Sequence, residues 1–331
     1  MYESLHNHTT ASDGTQTYLQ VLAAARERRF GVMAFTDHDV LPNETDLKRL
    51  RDYDGPVKWL VGCEISSGLP RELGGEANSS LHILGLFTDP HDQALLEHSK
   101  KAVAARAERM QKIVANLQGL GFTISEADCL AASGGESVGR PHIVRALTAH
   151  LENAAIIERL RAEMERAAVE SPAVAMEYAH MLERPASDYP YRLFLSDDAF
   201  VPGVYVDYLY TVDMDAAVKL IREAGGVAIV AHWYTASRKI SAQMLEQFLQ
   251  QGRLDGVEIM GNPLNSAAQR AQSVLRAMAE RTGCFATYGI DGHREQDMDN
   301  VAGDRELAGK SIGQTKRLIE RVKPNLEWSN L

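Results

Sequence analysis

Apolar residues recur along this chain in two rhythms. Short apolar runs that end in polar residues alternate with stretches whose apolar positions recur at helical spacing. SLH closes a first short strand, and TYLQVLAAARERR follows as a helix with a basic last turn. GVMAFTDHD reads as a strand running into polar residues, ETDLKRLRDY as a helix, and VKWLVGCEIS and SLHILGLF as two further strands. This βαβα rhythm predicts parallel strands joined by helical crossovers. From about residue 92 to 183 the pattern is almost all helix: QALLEHSKKAVAARAERMQKIVANLQGL up to Gly121, then ISEADCLAAS, RPHIVRALTAH and AAIIERLRAEMERAAVE. Residues 184–212 read as irregular and rich in Tyr, Pro and Asp. The first rhythm then resumes, with helices MDAAVKLIREAGG, ISAQMLEQFLQQG and SAAQRAQSVLRAMAERTG alternating with strands VAIVAHW, LDGVEIMGN and CFATYGIDGH. One α/β domain interrupted by a helical insertion is the simplest account.

Composition narrows the choices. The 331 residues, 45% of them hydrophobic, are ample for one large domain or two. Lys+Arg 35 against Asp+Glu 45 gives a net charge of −10. A net acidic chain is poorly suited to gripping duplex nucleic acid by bulk charge, whereas a small anion held by a metal or a local Arg cluster stays open. MYESLHNH has neither a basic nor an apolar leader region, and no apolar run is long enough for a membrane span. Cys63, Cys129 and Cys284 lie far apart without a CxxC, which predicts buried thiols in a reduced, cytoplasmic setting.

The polar residues fall in telling places. His6 and His8 follow the first strand, and Asp13 lies a short turn later. Asp37 and His38 follow the second strand, Glu64 ends VGCE, His82 lies in the next strand, His232 ends VAIVAH, and Asp291 and His293 end CFATYGIDGH. Strand C-termini in a β/α barrel converge on one face, so residues scattered over most of the chain would meet in one pocket. Imidazole and carboxylate together suit Zn²⁺, Mn²⁺ or Fe²⁺. Ten such residues exceed the needs of one tetrahedral ion, which points to a multinuclear site. A lone strand-end His is more often structural than a ligand; here nearly every strand carries a ligand type. His91, His98, His150 and His180 have no such placement and read as surface or structural residues. Arg106 and Arg109, on a helix rich in charge, read as part of a solvated face.

The motifs HNHTTASDG, TDHD, GCEIS, HILGLF, AGGVAIVAH and GIDGH resemble the ordered motifs of the PHP (polymerase and histidinol phosphatase) family of metal-dependent phosphoesterases, over about two-thirds of the chain. ARAERMQKIVANLQGLGFTISEAD and GRPHIVRAL resemble the helical insertion of the branch that hydrolyses nucleoside 3′,5′-bisphosphates, some members of which also trim short RNA from its 5′ end. The resemblance implies a distorted seven-stranded, TIM-like β/α barrel in two parts, 1–91 and 206–331, with a helical insertion or cap domain over 92–205. It implies three divalent ions (Mn²⁺, Zn²⁺ or Fe²⁺): one held by His6, His8, Glu64 and Asp291, a second by Glu64, His82 and His232, a third by Asp13, His38 and His293. Asp37 would orient donors without being one. Arg140 and His142 of GRPHI would bind substrate, although Arg140 before Pro141 equally suits a helix start. The chain departs from the family pattern at Trp233, where many relatives have Pro, and at Ile290 and Arg294, where they have Ser and Gly.

The expected reaction is hydrolysis of a phosphomonoester by attack of a metal-bound hydroxide, with His232, His293 and Asp291 as catalytic residues. The expected substrate is a nucleoside 3′,5′-bisphosphate, losing its 3′-phosphate, or a short 5′-phosphorylated oligonucleotide such as RNA. The alternatives are a phosphatase for another small phosphomonoester such as histidinol phosphate, and a non-catalytic metal-binding module. No duplex nucleic acid or membrane partner is expected.

Overall fold

The computed structural model describes residues 1–75, 81–134, 137–260, 266–302 and 309–322. The chain divides into two compact units, Met1–Ala102 with Thr211–Leu331, and Val103–Tyr210.

The first unit is built on a seven-stranded sheet in chain order: β1 (Tyr2–Ser4), β2 (Phe30–Phe35), β3 (Lys58–Ser67), β4 (Leu81–Leu86), β5 (Val227–Val230), β6 (Gly256–Met260) and β7 (Phe285–Gly289). Helices α1 (Tyr18–Glu27) and α2 (Glu44–Arg51) connect the first three strands. β2 and β5 are buried at every residue, and this continuous burial explains why their sequences read as unbroken apolar runs. Alternate side chains divide between two faces. Val61, Cys63, Ile65, Ile83, Ala228, Val230, Val257 and Ile259 pack under the helices before and after β5 and β6. Leu5, Val32, Ala34, Leu60, Leu84, Leu86, Val227 and Ile229 pack together on the other face.

The strands are not all parallel, as the rhythm predicted. β4 runs antiparallel to both β3 and β5, with Glu64 opposite Leu84 and Leu84 opposite Ile229. The reason lies in the connection. Between Ser67 and Leu81 the described residues hold only a short 3-10 turn at Arg71–Leu73, not the helix that usually joins a parallel pair, and an antiparallel return needs no such crossover. The first and last strands also meet: the Leu5 amide donates to the Tyr288 carbonyl at 3.0 Å, and Asn7 bridges Gly292 in parallel fashion.

The second unit takes over helix α3 (Gln93–Gly119) from Val103 and continues with α4 (Glu126–Ser133), α5 (Arg140–Ala149), α6 (Asn153–Glu170), α7 (Pro172–Leu182) and α8 (Tyr189–Leu193). Ser125 and Asp128 form a reciprocal cap on α4: Asp128 accepts the Ser125 N–H at 2.8 Å, and Ser125 Oγ accepts the Asp128 N–H at 3.2 Å. The core gathers Met110, Ile113 and Leu117 of α3 with Ile143, Leu147, Leu160, Met181 and Phe194. The stretch 184–212 is therefore not irregular throughout. It contains α8, and Leu193, Phe194 and Leu195 are fully buried.

Back in the first unit, α9 (Met214–Glu223) starts at Asp213, whose carboxylate accepts the Ala216 N–H at 2.8 Å, and ends at Gly225 with φ +75°. α10 (Ala242–Gln250), α11 (Ser266–Thr282), α12 (Glu295–Ala302) and α13 (Gln314–Val322) complete the fold. The last two lie beyond the segments assigned from the pattern. Among the described residues no helix is long and apolar enough to cross a membrane. Cys63 and Cys129 are buried and Cys284 half-buried, all three as free thiols.

Candidate metal centre

The nine sequence-predicted donors all come together in the first unit, at one end of the sheet. His6 and His8 lie just past β1, His38 past β2, His232 past β5, and Asp291 and His293 past β7, while Glu64 stands late in β3. His82 stands near the beginning of β4. That strand is reversed, so its first residues share an end with the last residues of its neighbours; His82 sits opposite Ser66.

Three overlapping groups form, each with donor atoms within 4.8 Å of one another: His6, His8, Glu64 and Asp291; His8, Asp13, His38 and His293; and His38, Glu64 and His82. In the first, His6 Nε2 is 3.1 Å from His8 Nε2 and 3.2 Å from Glu64 Oε2, and His8 Nε2 is 3.1 Å from Asp291 Oδ1. In the second, Asp13 Oδ1 is 3.3 Å from His293 Nε2 and 3.7 Å from His8 Nδ1. Glu64 Oε1 lies 2.8 Å from His82 Nδ1 and 2.9 Å from His232 Nε2. Glu64 thus faces imidazoles with both oxygens.

These spacings fit metal ligation. Donors about 2.1 Å from a tetrahedral ion stand about 3.4 Å from each other. Glu64 Oε2 and His38 Nδ1 are 3.0 Å apart and buried, yet neither makes a hydrogen bond. Two orphaned acceptor-type atoms converging in this way suit a shared cation.

Electrostatics point the same way. Burial opposes charge on His6, but the carboxylates of Glu258, Glu64 and Asp291 outweigh it and hold its pKa well above the ordinary imidazole value. Against burial, Asp13 and Asp291 push His293 up to about 10. His8 and His232 are also raised, by Asp291 and Glu64. At His38 burial wins and drives the pKa down to about 3. Against their own burial, Asp13, Glu64 and Asp291 are held well below the carboxylate range by the surrounding imidazoles. The pocket is built to attract positive charge.

The backbone contributes too. Among the described residues, the non-glycine residues in the left-handed region include Asp39 (φ +54°), His232 (φ +23°) and Asp291 (φ +49°), each a donor or its immediate neighbour. Such backbone persists where the surroundings over-determine it. Asp37 clamps the loop that carries His8 and Asp13: its carboxylate accepts from Thr9 N (2.7 Å), Thr9 Oγ1 (2.8 Å), Ser12 Oγ (2.6 Å) and Tyr18 Oη (3.2 Å). His98 is buried and pairs with Asp39 at 3.1 Å, a structural placement.

The helical unit holds the remaining candidates. His142 is fully buried and its Nδ1 accepts the Gly139 N–H at 2.8 Å, capping α5. Arg140, half-buried, donates to the Leu195 carbonyl at 3.1 Å and lies near the rings of Tyr191 and Tyr205. Arg106 and Arg109 do not form a solvated face: they are only 7% and 4% exposed. Arg109 donates to the Val206 carbonyl at 2.6 Å and lies 4.3 Å from the Tyr208 ring centre. The tyrosines of VYVDYLY cover these guanidinium groups, and the helical pattern of α3 gave no sign of that partner. Glu258, in GVEIM, escaped the sequence reading although it touches His6; an acid within an otherwise apolar strand was the available signal.

No family model matches the chain. It is similar to several characterised proteins. The 3′,5′-nucleoside bisphosphate phosphatase of Chromobacterium violaceum is 24% identical over 327 residues, covering 97% of this chain and 93% of that one. The phosphoribosyl 1,2-cyclic phosphate 1,2-diphosphodiesterase of Eggerthella lenta is 27% identical, covering 88% and 94%. The 5′-3′ exoribonuclease Rnm of Escherichia coli is 26% identical, covering 88% and 84%. Among solved structures, a provisionally named metal-dependent phosphoesterase from Bifidobacterium adolescentis superposes with a TM-score of 0.61 at 24% identity, covering 88% and 87%, and shares the fold.

Proposed function

We infer that this chain is a metal-dependent phosphoesterase of the PHP family, acting on a phosphomonoester of a nucleotide. The observation that carries this reading is the convergence of six imidazoles and three carboxylates on one pocket, with Glu64 Oε2 buried among them and unbonded. The relatives that match nearly the whole chain are named for phosphate-ester hydrolysis, on a nucleoside bisphosphate, a cyclic ribose phosphate and RNA. The substrate we propose is a nucleoside 3′,5′-bisphosphate, at its 3′-phosphate, or a short 5′-phosphorylated oligonucleotide.

The donor set suits three divalent ions, assigned as His6, His8, Glu64 and Asp291; Glu64, His82 and His232; and Asp13, His38 and His293. Mn²⁺, Zn²⁺ and Fe²⁺ all accept this mixture of ligands. When bound, such ions supply Lewis acidity, polarising phosphoryl oxygens and acidifying water. The protein sets the donors in place. His293 Nδ1–H donates to the Asp291 carbonyl at 2.9 Å, which leaves Nε2, 3.3 Å from Asp13 Oδ1, as the nitrogen that would hold an ion once its proton is displaced. The side chains of His293 and Asp291 are 28% and 20% exposed, so both are open to a substrate. His232 or His293, if not fully engaged as a ligand, is the group placed to pass a proton to the leaving oxygen.

The sheet is proposed to close as a distorted barrel, supported by the Leu5–Tyr288 hydrogen bond and the Asn7–Gly292 bridge. Residues 92–205 are proposed as the insertion domain. Arg140 remains the proposed substrate contact, whereas His142, fully buried against the Gly139 N–H, would act only by holding the start of α5. The buried cap role of His142 favours Arg140 as the one to vary: Arg140→Ala should raise KM for a bisphosphate far more than for p-nitrophenyl phosphate, and equal effects would remove Arg140 from the proposal.

The deciding experiment is phosphate release with Mn²⁺, comparing adenosine 3′,5′-bisphosphate with AMP, histidinol phosphate and a ribose cyclic phosphate. Preference for the bisphosphate supports the full reading. Preference for another substrate moves the assignment to it, and stoichiometric metal with no hydrolysis of any would overturn the enzymatic reading.

A further inference from the structure

One buried carboxylate touches the centre without belonging to its donor set. Glu258 lies in β6 between Val257 and Ile259, both fully buried, and is itself only 1% exposed. Its Oε1 is 2.8 Å from His6 Nδ1, and its Oε2 accepts the His232 N–H at 2.9 Å. The other ring nitrogen of His6 faces Glu64, His8 and Asp291. The opposing strand makes room for this pair. Position 289 in β7 is glycine, and a Cβ there would collide with Glu258 Oε1 and lie 2.5 Å from His6 Cβ.

We propose that Glu258 is the positioning residue of the metal centre: one carboxylate fixes His6 as its Nδ1–H tautomer, with the Nε2 lone pair turned to the donor cluster, and pins the backbone of His232. The proposal rests on the metal reading above. A carboxylate offers acceptors only, and both groups facing Glu258 are donors in this arrangement. The His232 amide sits in left-handed backbone at φ +23°, a conformation that an L-residue keeps only when held. Donors contributed by β1 and by β5 are thereby set by a single side chain of β6. Glutamine cannot do the same. With its oxygen toward His6, its NH₂ meets the His232 N–H. With its oxygen toward His232, its NH₂ drives His6 to the Nε2–H tautomer and removes the lone pair from the cluster. Aspartate keeps both acceptors but is one methylene short of reaching both donors.

The test compares wild type, Glu258→Gln and Glu258→Asp by metal stoichiometry and by affinity against a competing chelator. Loss of such an outer carboxylate partner typically weakens metal binding by about 10–100-fold. Glu258→Gln should lose affinity by that factor at the ion held by His6, while the ion held by Asp13, His38 and His293, none of which Glu258 touches, keeps wild-type affinity. Equal weakening of every ion would mark a merely structural role and overturn the proposal, as would unchanged affinity throughout. A second measurement needs no variant: long-range ¹H–¹⁵N correlation on ¹⁵N-histidine-labelled, metal-loaded wild type. It should find His6 protonated at Nδ1; a proton on Nε2 overturns the proposal even if the variants fail to fold. Wild type that binds no divalent ion at all would instead refute the metal reading itself.

Discussion

Gly289→Ala replaces one hydrogen of β7 by a methyl group, and its effect can be worked from the packing. The new methyl would stand 2.5 Å from His6 Cβ and 3.1 Å from the His6 amide nitrogen, and would overlap Glu258 Oε1. Carbon atoms pack at about 3.5–4.0 Å, so His6 must retreat by about 1 Å. Metal donors tolerate only about 0.2 Å. Without metal, His6 can shift and the strain is largely relieved; loading draws the ring back and restores it. Overpacking of this kind costs about 1–3 kcal/mol. At 1.4 kcal/mol per tenfold, the ion held by His6 should bind about 5- to 140-fold more weakly. The assay is chelator competition with Mn²⁺ or Zn²⁺, beside a melting curve of the metal-stripped protein. Affinity within about twofold of wild type would refute the reasoning, because it would mean that Gly289 is not what makes room for His6.

Three further perturbations follow from the same geometry. Asp37→Ala leaves the Thr9 amide, two hydroxyls and the Tyr18 phenol without their shared acceptor; each abandoned buried group costs about 1–3 kcal/mol, so urea unfolding should show a loss of about 3 kcal/mol or more, and a loss under about 1 would contradict the clamp. Phe194→Ala, in the core of the helical unit against Phe122, should cost about 3–5 kcal/mol by the same measurement. In metal-stripped protein, His293 binds its proton more tightly folded than unfolded, since its pKa rises from 6.5 to about 10; its contribution to stability is complete below about pH 6.5 and is lost as pH climbs toward 10. Asp13 is shifted downward, so its contribution is present above the ordinary carboxyl range and is lost in acid. Melting temperature of the stripped protein should therefore fall between pH 7 and 10; metal uptake, which displaces those protons, should strengthen over the same window, and a flat profile for both would contradict the pairing.

Much of the pocket is legible in the sequence, because a His or carboxylate ending an apolar run is locally conspicuous. His6, Glu64, His232 and Asp291 each stand out in this way. His82 was readable as a candidate, but the reason it joins the others was not: the reversal of β4 depends on what connects it to β3, and strand direction leaves no local mark in LHILGL. The fate of Arg106 and Arg109 was hidden for a different reason. Their burial comes from tyrosines about a hundred residues later, and helical periodicity reports a face, not what will cover it. Glu258 was missed because an acid in a short apolar strand reads equally as a strand-edge charge until its partners, His6 and the His232 amide, are known.

The antiparallel pairing of β4 with β5 also bears on how the chain could have grown. Ile83–Leu86 and Val227–Val230 are laid out as the two arms of a hairpin, a pairing that a turn of a few residues could join. In this chain about 140 residues intervene. Loop-closure entropy rises only with the logarithm of length, so exchanging a four-residue turn for that stretch costs about 3 kcal/mol if the stretch were flexible. Between Ala102 and Thr211 lies a seam where chain length is thermodynamically cheap: anything that returns to Thr211, and so brings α9 and Val227 back to the sheet, leaves the arms of the hairpin as they were. Inserts there can lengthen, shorten or diverge over generations while the donors at the end of the sheet keep their places.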